Sequence, residues 1–291
     1  MIDLRDMRLI TALARHRHFA RAAEECGISQ PAFSMRLRNL EADLGVPVVR
    51  RGNRYEGFTE EGEMLLIWAR KLLDDVKVLE QEVRSVRGSV SGKLSIGCVP
   101  TALAWTSQLP PRLRTMHSQI GVRIHSQTSL EIQRGIEDGT LDVGVTYLDG
   151  TSADFVDIHP LYDETYVLLV STKMAPRETG TATWREAAEL PLSLLVPEMQ
   201  NRRILDRTFA DLGLVPNVIS EANVFSVSQH QVRSGFAATI VPDALAIPFA
   251  DNPDIVVLPL VEPSVRKAMC LITGNRNPVT PAVRVLLDLL R

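Results

Sequence analysis

Apolar and polar residues recur at helical spacing along the first part of the chain. Over residues 3–15 the apolar positions fall on one face, which predicts an amphipathic first helix. Residues 19–41 then predict a helix, a tight turn and a second helix. Gly27 suits a left-handed helix end, because glycine adopts that conformation at low cost. Ser29 suits the N-cap of the second helix, and Pro31 suits its first turn.

The second helix, predicted over residues 29–41, has one apolar and one polar face. Phe33, Leu37 and Leu40 recur at spacings of four and three, so we expect this face to be buried. In the major groove of DNA, arginine pairs with guanine, glutamine with adenine, and serine with either base. The pattern therefore predicts a DNA-reading helix, although a helical hairpin with a solvated basic face has the same pattern. The candidate DNA-binding residues on it are Ser29, Gln30, Pro31, Ser34, Met35, Arg36 and Arg38.

A short hairpin is predicted after this helix. Two β-prone stretches, 48–51 and 55–59, enclose a Gly-Asn turn, which is typical of the wing of a winged helix-turn-helix. Between residues 29 and 54 five arginines stand against two acidic residues, a local charge of +3 (5 − 2). The whole chain of 291 residues has a net charge of −3. A DNA-binding function therefore depends on this local basic surface.

A long helix is predicted from residue 60 to about residue 87, with Thr59 as its N-cap. Its apolar positions are spaced by 4, 3, 4, 3, 4 and 3 residues, at Leu65, Ala69, Leu72, Val76, Leu79, Val83 and Val86. Such heptads predict a two-stranded coiled coil, and hence a dimer with two reading helices on one dyad operator. The alternative is a helix buried on its own domain. That alternative needs a broader apolar stripe, which Leu66 and Leu73 partly supply.

Beyond a flexible joint at residues 88–93, apolar strands, such as one over 166–170, alternate with amphipathic helices, such as one over 100–117. This alternation predicts a parallel sheet with helices on its faces. We therefore expect an α/β protein in three parts. They are an all-α winged helix-turn-helix domain over 1–60, a dimerising coiled-coil linker helix over 61–88, and a two-lobed α/β domain over 91–291. Lobe I would comprise about 91–162 and 266–291, and lobe II about 163–265.

Four motifs in the first 62 residues closely resemble LysR-type transcriptional regulators: Ser29-Gln-Pro-Ala32, Leu40-Glu-x-x-Leu-Gly-Val-Pro47, Arg51-Gly-x-Arg54 and Phe58-Thr-x-x-Gly62. The resemblance extends from about residue 3 to the end of the chain. It implies that Arg51, Asn53 and Arg54 in the wing touch DNA phosphates or the minor groove. It also implies that the two-lobed part is a periplasmic-binding-protein-like effector domain. The implied partners are double-stranded DNA, a small-molecule effector and further copies of the chain, as a dimer through the linker helix and as a tetramer. RNA polymerase is a further candidate partner.

An effector is expected where strands of the α/β domain end at helix N-termini, because such ends favour anions. The family resemblance indicates Thr101 and Ser129 first, then Thr146 and Asn201. Arg202 would add a countercharge, and Phe225 lies in another of the strand-end segments. For each hydroxyl, simple helix capping is the alternative interpretation. We expect no cofactor, and a small, anionic effector bound between the lobes.

Two short segments add a candidate effector. Residues 199–203 and the wing segment 55–59 resemble regulators associated with formate dehydrogenase genes. Formate or another small carboxylate is therefore one candidate.

Two other functions compete with a regulator. An enzyme needs an acid–base constellation, a nucleophile elbow, a phosphate loop or metal-binding histidines, and the sequence offers none of these, so we expect no catalytic residue and no metal. A redox sensor needs an exposed thiol of low pKa, whereas Cys98 and Cys270 lie in apolar strands. Three widely spaced cysteines, no signal peptide at the start and no membrane-length apolar run lead us to expect a cytoplasmic protein with no membrane partner.

Overall fold

The computed structural model begins with three helices around one small core. It describes residues 2–50, 55–85, 90–153, 156–176, 180–275 and 279–290. The chain divides into two units, residues 1–92 with 137–140 and 276–291, and residues 93–136 with 141–275. The first three helices are α1 (Leu4–His16), α2 (Phe19–Glu25) and α3 (Gln30–Leu44).

The turn between α2 and α3 has the geometry that its residues dictate. Gly27 has φ +68°, and Gly45 after α3 has φ +72°, so both helices are followed by left-handed glycines. The Ser29 hydroxyl accepts the N–H of Ala32 at 3.4 Å and caps α3. The predicted helix-turn-helix is confirmed, and α3 ends three residues later than predicted, at Leu44 instead of Glu41.

One face of α3 closes the core of this domain. Phe33, Leu37 and Leu40 are buried, as predicted, in one cluster with Leu9 and Leu13 of α1. Burial of these large side chains provides most of the free energy that holds the three helices together. The opposite face of α3 is consequently held in a fixed orientation toward solvent.

The wing is joined to α3 by a buried carboxylate. Val49 and Phe58 form an antiparallel bridge, and the turn at 51–54 lies outside the described residues. Glu41 of α3 accepts the N–H groups of Val48 at 2.9 Å and Val49 at 3.3 Å. This contact fixes where the wing leaves the helix.

A long helix, α4 (Glu60–Ser85), follows the wing. Thr59 caps it by accepting the N–H of Gly62 at 3.0 Å, as the sequence indicated. A Cβ at Gly62 would collide with the carbonyl oxygen of Val48. The glycine therefore permits α4 to start directly against the wing strand.

The apolar positions of α4 divide between two environments. Ala69 and its neighbour Leu66 are buried in the core of the first domain, and Leu65 packs against that core. Leu79 and Val83 remain about 60% exposed, at 62% and 59%. Leu65 and Ala69 of the predicted seam are thus interior, while Leu79 and Val83 face solvent and Val86 lies outside the described residues. Further exposed apolar side chains on α4 are Met64, Ile67, Trp68 and Leu72.

The rest of the chain alternates strands and helices, as predicted. Its elements are β1 (Gly92–Cys98), α5 (Leu103–Thr106), α6 (Leu109–Met116), β2 (Ile120–Ser126), α7 (Ser129–Glu137), β3 (Val143–Tyr147), β4 (Val156–Ser171), β5 (Ala182–Thr183), α8 (Trp184–Glu189), β6 (Leu192–Leu195), α9 (Gln200–Asp211), β7 (Val218–Ala222), α10 (Phe225–Arg233), β8 (Thr239–Pro242), α11 (Asp243–Ala246), β9 (Ile255–Val261), β10 (Arg266–Gly274) and α12 (Pro281–Leu289). One helix predicted over 100–117 is instead a 3-10 turn (Pro100–Ala102) followed by α5 and α6.

The main sheet is mixed rather than parallel, which corrects the sequence prediction. Its order is β2-β1-β3-β10-β4-β9-β5, with β8 also paired to β4. β1 and β3 are parallel, but β10 runs antiparallel to both β3 and β4. A separate parallel pair joins β6 and β7. The reversal arises because β10 returns from the far end of the chain into the middle of the sheet.

β4 connects the two lobes of the α/β domain. The sequence predicted a strand only over 166–170, but β4 has 16 residues. Its first part pairs with β10 up to Thr165, and from Tyr166 it pairs with β8 and β9. The residues at this crossover therefore face both groups of strands.

Among the described residues, no helix has the length and hydropathy needed to cross a membrane. Within the same part of the chain, no group of three histidine, cysteine or acidic side chains has a metal-binding arrangement.

Candidate functional site

The outward face of α3 consists of polar and flexible side chains. Gln30, Pro31, Met35 and Arg38 are exposed, and Ser34 is half-buried. Arg38 Nε donates to the carbonyl oxygen of Ser34 at 3.2 Å, which holds the guanidinium close to the helix. These predicted candidates thus share one accessible surface at the start and middle of α3.

Arg36 is placed differently from the other candidates on α3. It lies roughly 160° around the helix axis from Arg38. Its Nε donates to Asp6 and its Nη2 to Asp3, both at 2.7 Å. The hydrogen bond from Arg36 lowers the pKa of Asp3, which is also the N-cap of α1. The guanidinium therefore joins α3 to α1, and a base contact by Arg36 would require these ion pairs to open.

A basic depression lies between the end of α3 and the wing. Its cavity of about 600 Å³ is lined by Arg38, Glu41, Pro47 and Arg50, among others. Both arginines are exposed, whereas Glu41 is buried and hydrogen-bonded to the wing backbone. The remaining wing candidates, Arg51, Asn53 and Arg54, lie outside the described residues.

A buried polar cluster lies in the α/β domain at the crossover of β4. The Tyr147 hydroxyl, at the end of β3, is 3.1 Å from Thr101 Oγ1 and 3.1 Å from Glu164 Oε2. All three residues are about 1% exposed. Since a phenol has one proton, both contacts are satisfied when Tyr147 donates to the carboxylate and Thr101 donates to Tyr147.

Several polar atoms around this cluster have no hydrogen-bond partner among the described residues. They are Glu164 Oε1, the Tyr166 hydroxyl and both polar atoms of the Asn201 amide. Tyr166 and Asn201 are each 2% exposed. The Asn201 amide lies beside the Tyr166 hydroxyl and opposes the rise that burial causes in the pKa of that phenol. Buried polar groups are normally paired, so these atoms point to a ligand-binding role.

Burial also sets the protonation of the cluster. It raises the pKa of Glu164 to about 7, although the nearby hydroxyl groups of Thr101 and Tyr147 oppose the shift. Burial likewise raises the pKa of Tyr147, Tyr162 and Tyr166, and the nearby Glu164 charge adds to each shift. The three phenols are therefore neutral near pH 7, while Glu164 titrates there.

Arg202 is engaged by groups outside this cluster. Its Nη1 donates to Leu195 O at 2.8 Å and to Glu221 at 2.6 Å, and its Nε donates to Asp206 at 2.7 Å. Hydrogen bonds to the two carboxylates raise the pKa of Arg202 despite its burial. The predicted countercharge is thus used to join α9, β6 and β7.

Three other predicted effector residues are not brought to the same point. Phe225 lies in a hydrophobic core of the second lobe. Thr146 neighbours Tyr147 on β3, so its side chain points to the opposite sheet face. Ser129 has a buried hydroxyl without a described partner, but it does not cap α7. That cap is Thr128, which accepts the N–H of Glu131 at 3.2 Å, so the alternative interpretation of Ser129 as the helix cap is wrong.

The cysteines lack the features of a redox pair. Cys98 and Cys270 are fully buried, and burial raises the pKa of each thiol to about 11. Cys98 pairs with Val145 of β3, and Cys270 pairs with Thr146 from the other side. The two cysteines therefore lie two strands apart, which places their Cα atoms roughly 10 Å from each other. A disulfide needs about 7 Å or less, so these two cannot join without a change in the sheet.

Sequence reasoning missed Glu164, Tyr147 and Tyr166. The only signal available was a carboxylate and two phenols next to apolar strand residues, which also occurs at ordinary strand ends. The long-range pairing of β4 with β10 is what brings them to Thr101.

Comparison with known proteins agrees with this architecture. A family model described as "Bacterial regulatory helix-turn-helix protein, lysR family" matches residues 4–63, and "LysR substrate binding domain" matches residues 87–291. The "DNA-binding transcriptional dual regulator OxyR" of Escherichia coli K12 is 27% identical over 300 residues, covering 100% of this chain and 95% of that protein. A "Hydrogen peroxide-inducible genes activator" of Pectobacterium carotovorum is 29% identical over 294 residues, covering 100% and 96%.

Solved structures show the same fold. A full-length OxyR variant from Pseudomonas aeruginosa is 24% identical and superposes with a TM-score of 0.73, covering 100% of this chain and 98% of that chain. Full-length CbnR in complex with its target DNA is 22% identical and has a TM-score of 0.64, covering 100% and 99%.

The helix-turn-helix domain and the two-lobed α/β domain together define a DNA-binding transcriptional regulator with an effector-binding domain. The chain belongs to the LysR family, since the two family models together match most of its length. The expectation of a regulator rather than an enzyme is confirmed by this membership.

Proposed function

We propose that α3 reads a dyad operator and that a small effector, bound at the cluster around Thr101 and Glu164, controls the outcome. The DNA-binding part of this proposal rests on the exposed polar face of α3. It begins at the capped N-terminus and continues to the basic depression of Arg38 and Arg50. Side chains at the start of such a helix reach base edges, while arginines at its flank reach phosphates.

Self-association is part of the proposal. The apolar side chains on α4 that remain exposed offer a surface for a second copy of the chain. A dimer would present two α3 helices to one duplex, and a tetramer would contact two such half-site pairs. Effector binding would then shift the placement of the subunits, which requires different effector affinities in the two arrangements. Contact with RNA polymerase belongs to the same proposal.

A footprint on the DNA upstream of the protein's own gene tests the proposed DNA binding. We expect Arg38→Ala to reduce the discrimination between bases at one operator position by about 1–3 kcal/mol. Arg50→Ala should instead weaken binding to all sequences alike and reduce the slope of log affinity against log salt by about 1. Arg185→Ala, on the exposed surface of α8, serves as the control. Uniform loss in both variants would remove α3 as the specificity element.

The sequence predicts an anionic effector. Helix N-termini favour an anion, and a small carboxylate such as formate was the candidate from sequence. The Arg202 guanidinium is bonded to Asp206 and Glu221. An anion at the cluster would therefore meet the N-terminus of α9 rather than this arginine.

Peroxide sensing is the second candidate function, because several relatives are named for hydrogen peroxide. Sensing through a disulfide receives no support from the buried Cys98 and Cys270 or from their strand positions. Cys26, half-buried in the first domain, also has a raised pKa because of burial and the nearby Glu25 charge. We therefore favour reversible ligand binding over thiol oxidation.

A further inference from the structure

We propose that the effector site selects an uncharged ligand that donates a hydrogen bond to Glu164, such as a small amide or alcohol, rather than a carboxylate. The inference rests on the proposed function, because it assigns the ligand class of the same site. Its basis is the set of unpaired atoms around Glu164 and the buried position of its carboxyl group.

The unpaired atoms define what a ligand must offer. Glu164 Oε1, when ionised, can only accept a hydrogen bond, so its partner must be a donor. The Asn201 amide offers both a donor and an acceptor, and the Tyr166 hydroxyl offers either. An amide or alcohol satisfies all three groups, since it carries both a donor and an acceptor. A carboxylate has no hydrogen to give Glu164.

A bound anion would also lie close to the negative charge of the ionised Glu164 carboxylate. Two cations on the neighbouring strand β10 and helix α9 are already engaged by other carboxylates. Lys267 lies opposite Glu164 on β10, but its Nζ is bonded to Asp149 at 2.8 Å. Arg202 is bonded to carboxylates of its own. Two like charges in a buried site repel strongly, so a carboxylate could bind only with uptake of a proton.

The same geometry gives each ligand class its own pH dependence. The groups that face Glu164 are the phenols of Tyr147, Tyr162 and Tyr166 and the carboxylate of Asp243. The phenols stay neutral near pH 7, and Asp243 only adds negative charge. A donor ligand stabilises the ionised form of Glu164, so its affinity should rise with pH. A carboxylate would need the protonated form, so its affinity should fall.

The tyrosine side chains provide a direct spectroscopic readout of ligand binding. The chain has four tyrosines, of which Tyr147, Tyr162 and Tyr166 belong to the cluster, while Tyr55 lies in the first domain. Full-length protein labelled with 13C at the tyrosine ζ carbon would be titrated with acetamide, propionamide, acetate and propionate at pH 6 and pH 8. The amides should shift the three cluster signals and leave Tyr55 unchanged.

The amide affinity should increase about tenfold between pH 6 and pH 8, because the ionised fraction of a group with a pKa of about 7 rises by that factor. Glu164→Gln should lose this pH dependence, while Glu189→Gln, exposed on α8, should keep it. Acetate or propionate binding in place of the amides would overturn the inference, as would cluster signals that ignore both amides. A footprint with the same preparation reports separately on DNA binding, so failure of the ligand class is distinguishable from failure of the proposed function.

Discussion

Glu164 carries a carboxyl group whose burial opposes its own ionisation. The folded protein holds its proton up to a pH of about 7, whereas an unfolded chain releases it near 4.5. Folding therefore favours the protonated form. The stability that this group contributes is fully present below pH 4.5 and is lost as the pH rises toward 7.

Replacement of Glu164 by glutamine should remove this pH dependence. Between pH 4.5 and 8 the wild type should lose about 3 kcal/mol of unfolding free energy that Glu164→Gln retains, since one pKa unit corresponds to about 1.4 kcal/mol. Urea unfolding at several pH values measures the difference. Glu189→Gln controls for an exposed carboxylate, and parallel curves for wild type and Glu164→Gln would show that Glu164 is already ionised at low pH.

Among the secondary-structure elements, α4 has two roles along its length. Its first turns close the core of the DNA-binding domain through Leu66 and Ala69, and its later turns leave Leu79 and Val83 exposed. Neighbouring exposed apolar side chains of this kind mark an interaction surface. The later turns are therefore where a second chain would pair.

Leu79→Lys should weaken self-association. A lysine in an apolar seam must either leave it or lose its hydration, so we expect at least a tenfold rise in the dimer dissociation constant. Analytical ultracentrifugation measures that constant. The neighbouring Glu80→Lys makes a larger change in charge on an already exposed position and should leave association nearly intact. Equal effects of the two substitutions would place the interface elsewhere.

Sequence patterns predicted elements well where the cause is local. Ser29, Thr59 and Gly27 set helix boundaries through their own chemistry, and each was assigned correctly. The first part of β4 was missed because Asp157 and Asp163 interrupt its apolar pattern, while pairing with β10 supplies the strand from outside. Period and propensity carry no information about such a partner.

The candidate effector site was likewise predictable only where the cause is local in the sequence. Thr101 and Asn201 could be proposed because strand ends and helix starts are visible in the sequence. Arg202 was assigned to the ligand, because nothing local indicated that Glu221 on a later strand would bind it. Glu164 could not be proposed as a ligand group, since its meeting with Tyr147 depends on the position of β10 between β3 and β4.

At the scale of the whole molecule, regulation requires that the buried cluster influence DNA binding. The cluster lies where β4 passes from β10 to β8 and β9, so a ligand bound at this proposed site would touch both groups of strands. Its atoms are closed from solvent, and ligand entry therefore requires the surrounding elements to separate. A ligand that favours one arrangement of the lobes shifts the protein toward it.

Thr101→Val tests this coupling with a side chain of nearly the same volume. The substitution removes the hydroxyl that is hydrogen-bonded to Tyr147, so Tyr147 keeps its contact with Glu164 but loses its contact with residue 101. We expect the footprint without effector to match the wild type, and the change caused by the effector to disappear. Thr115→Val, exposed on α6, should respond normally. If Thr101→Val still responded with unchanged effector concentration dependence, the cluster would not be the regulatory site. If it lost DNA binding together with the response, Thr101 would be needed for the folded arrangement itself, because only a change of fold could reach α3 without the effector.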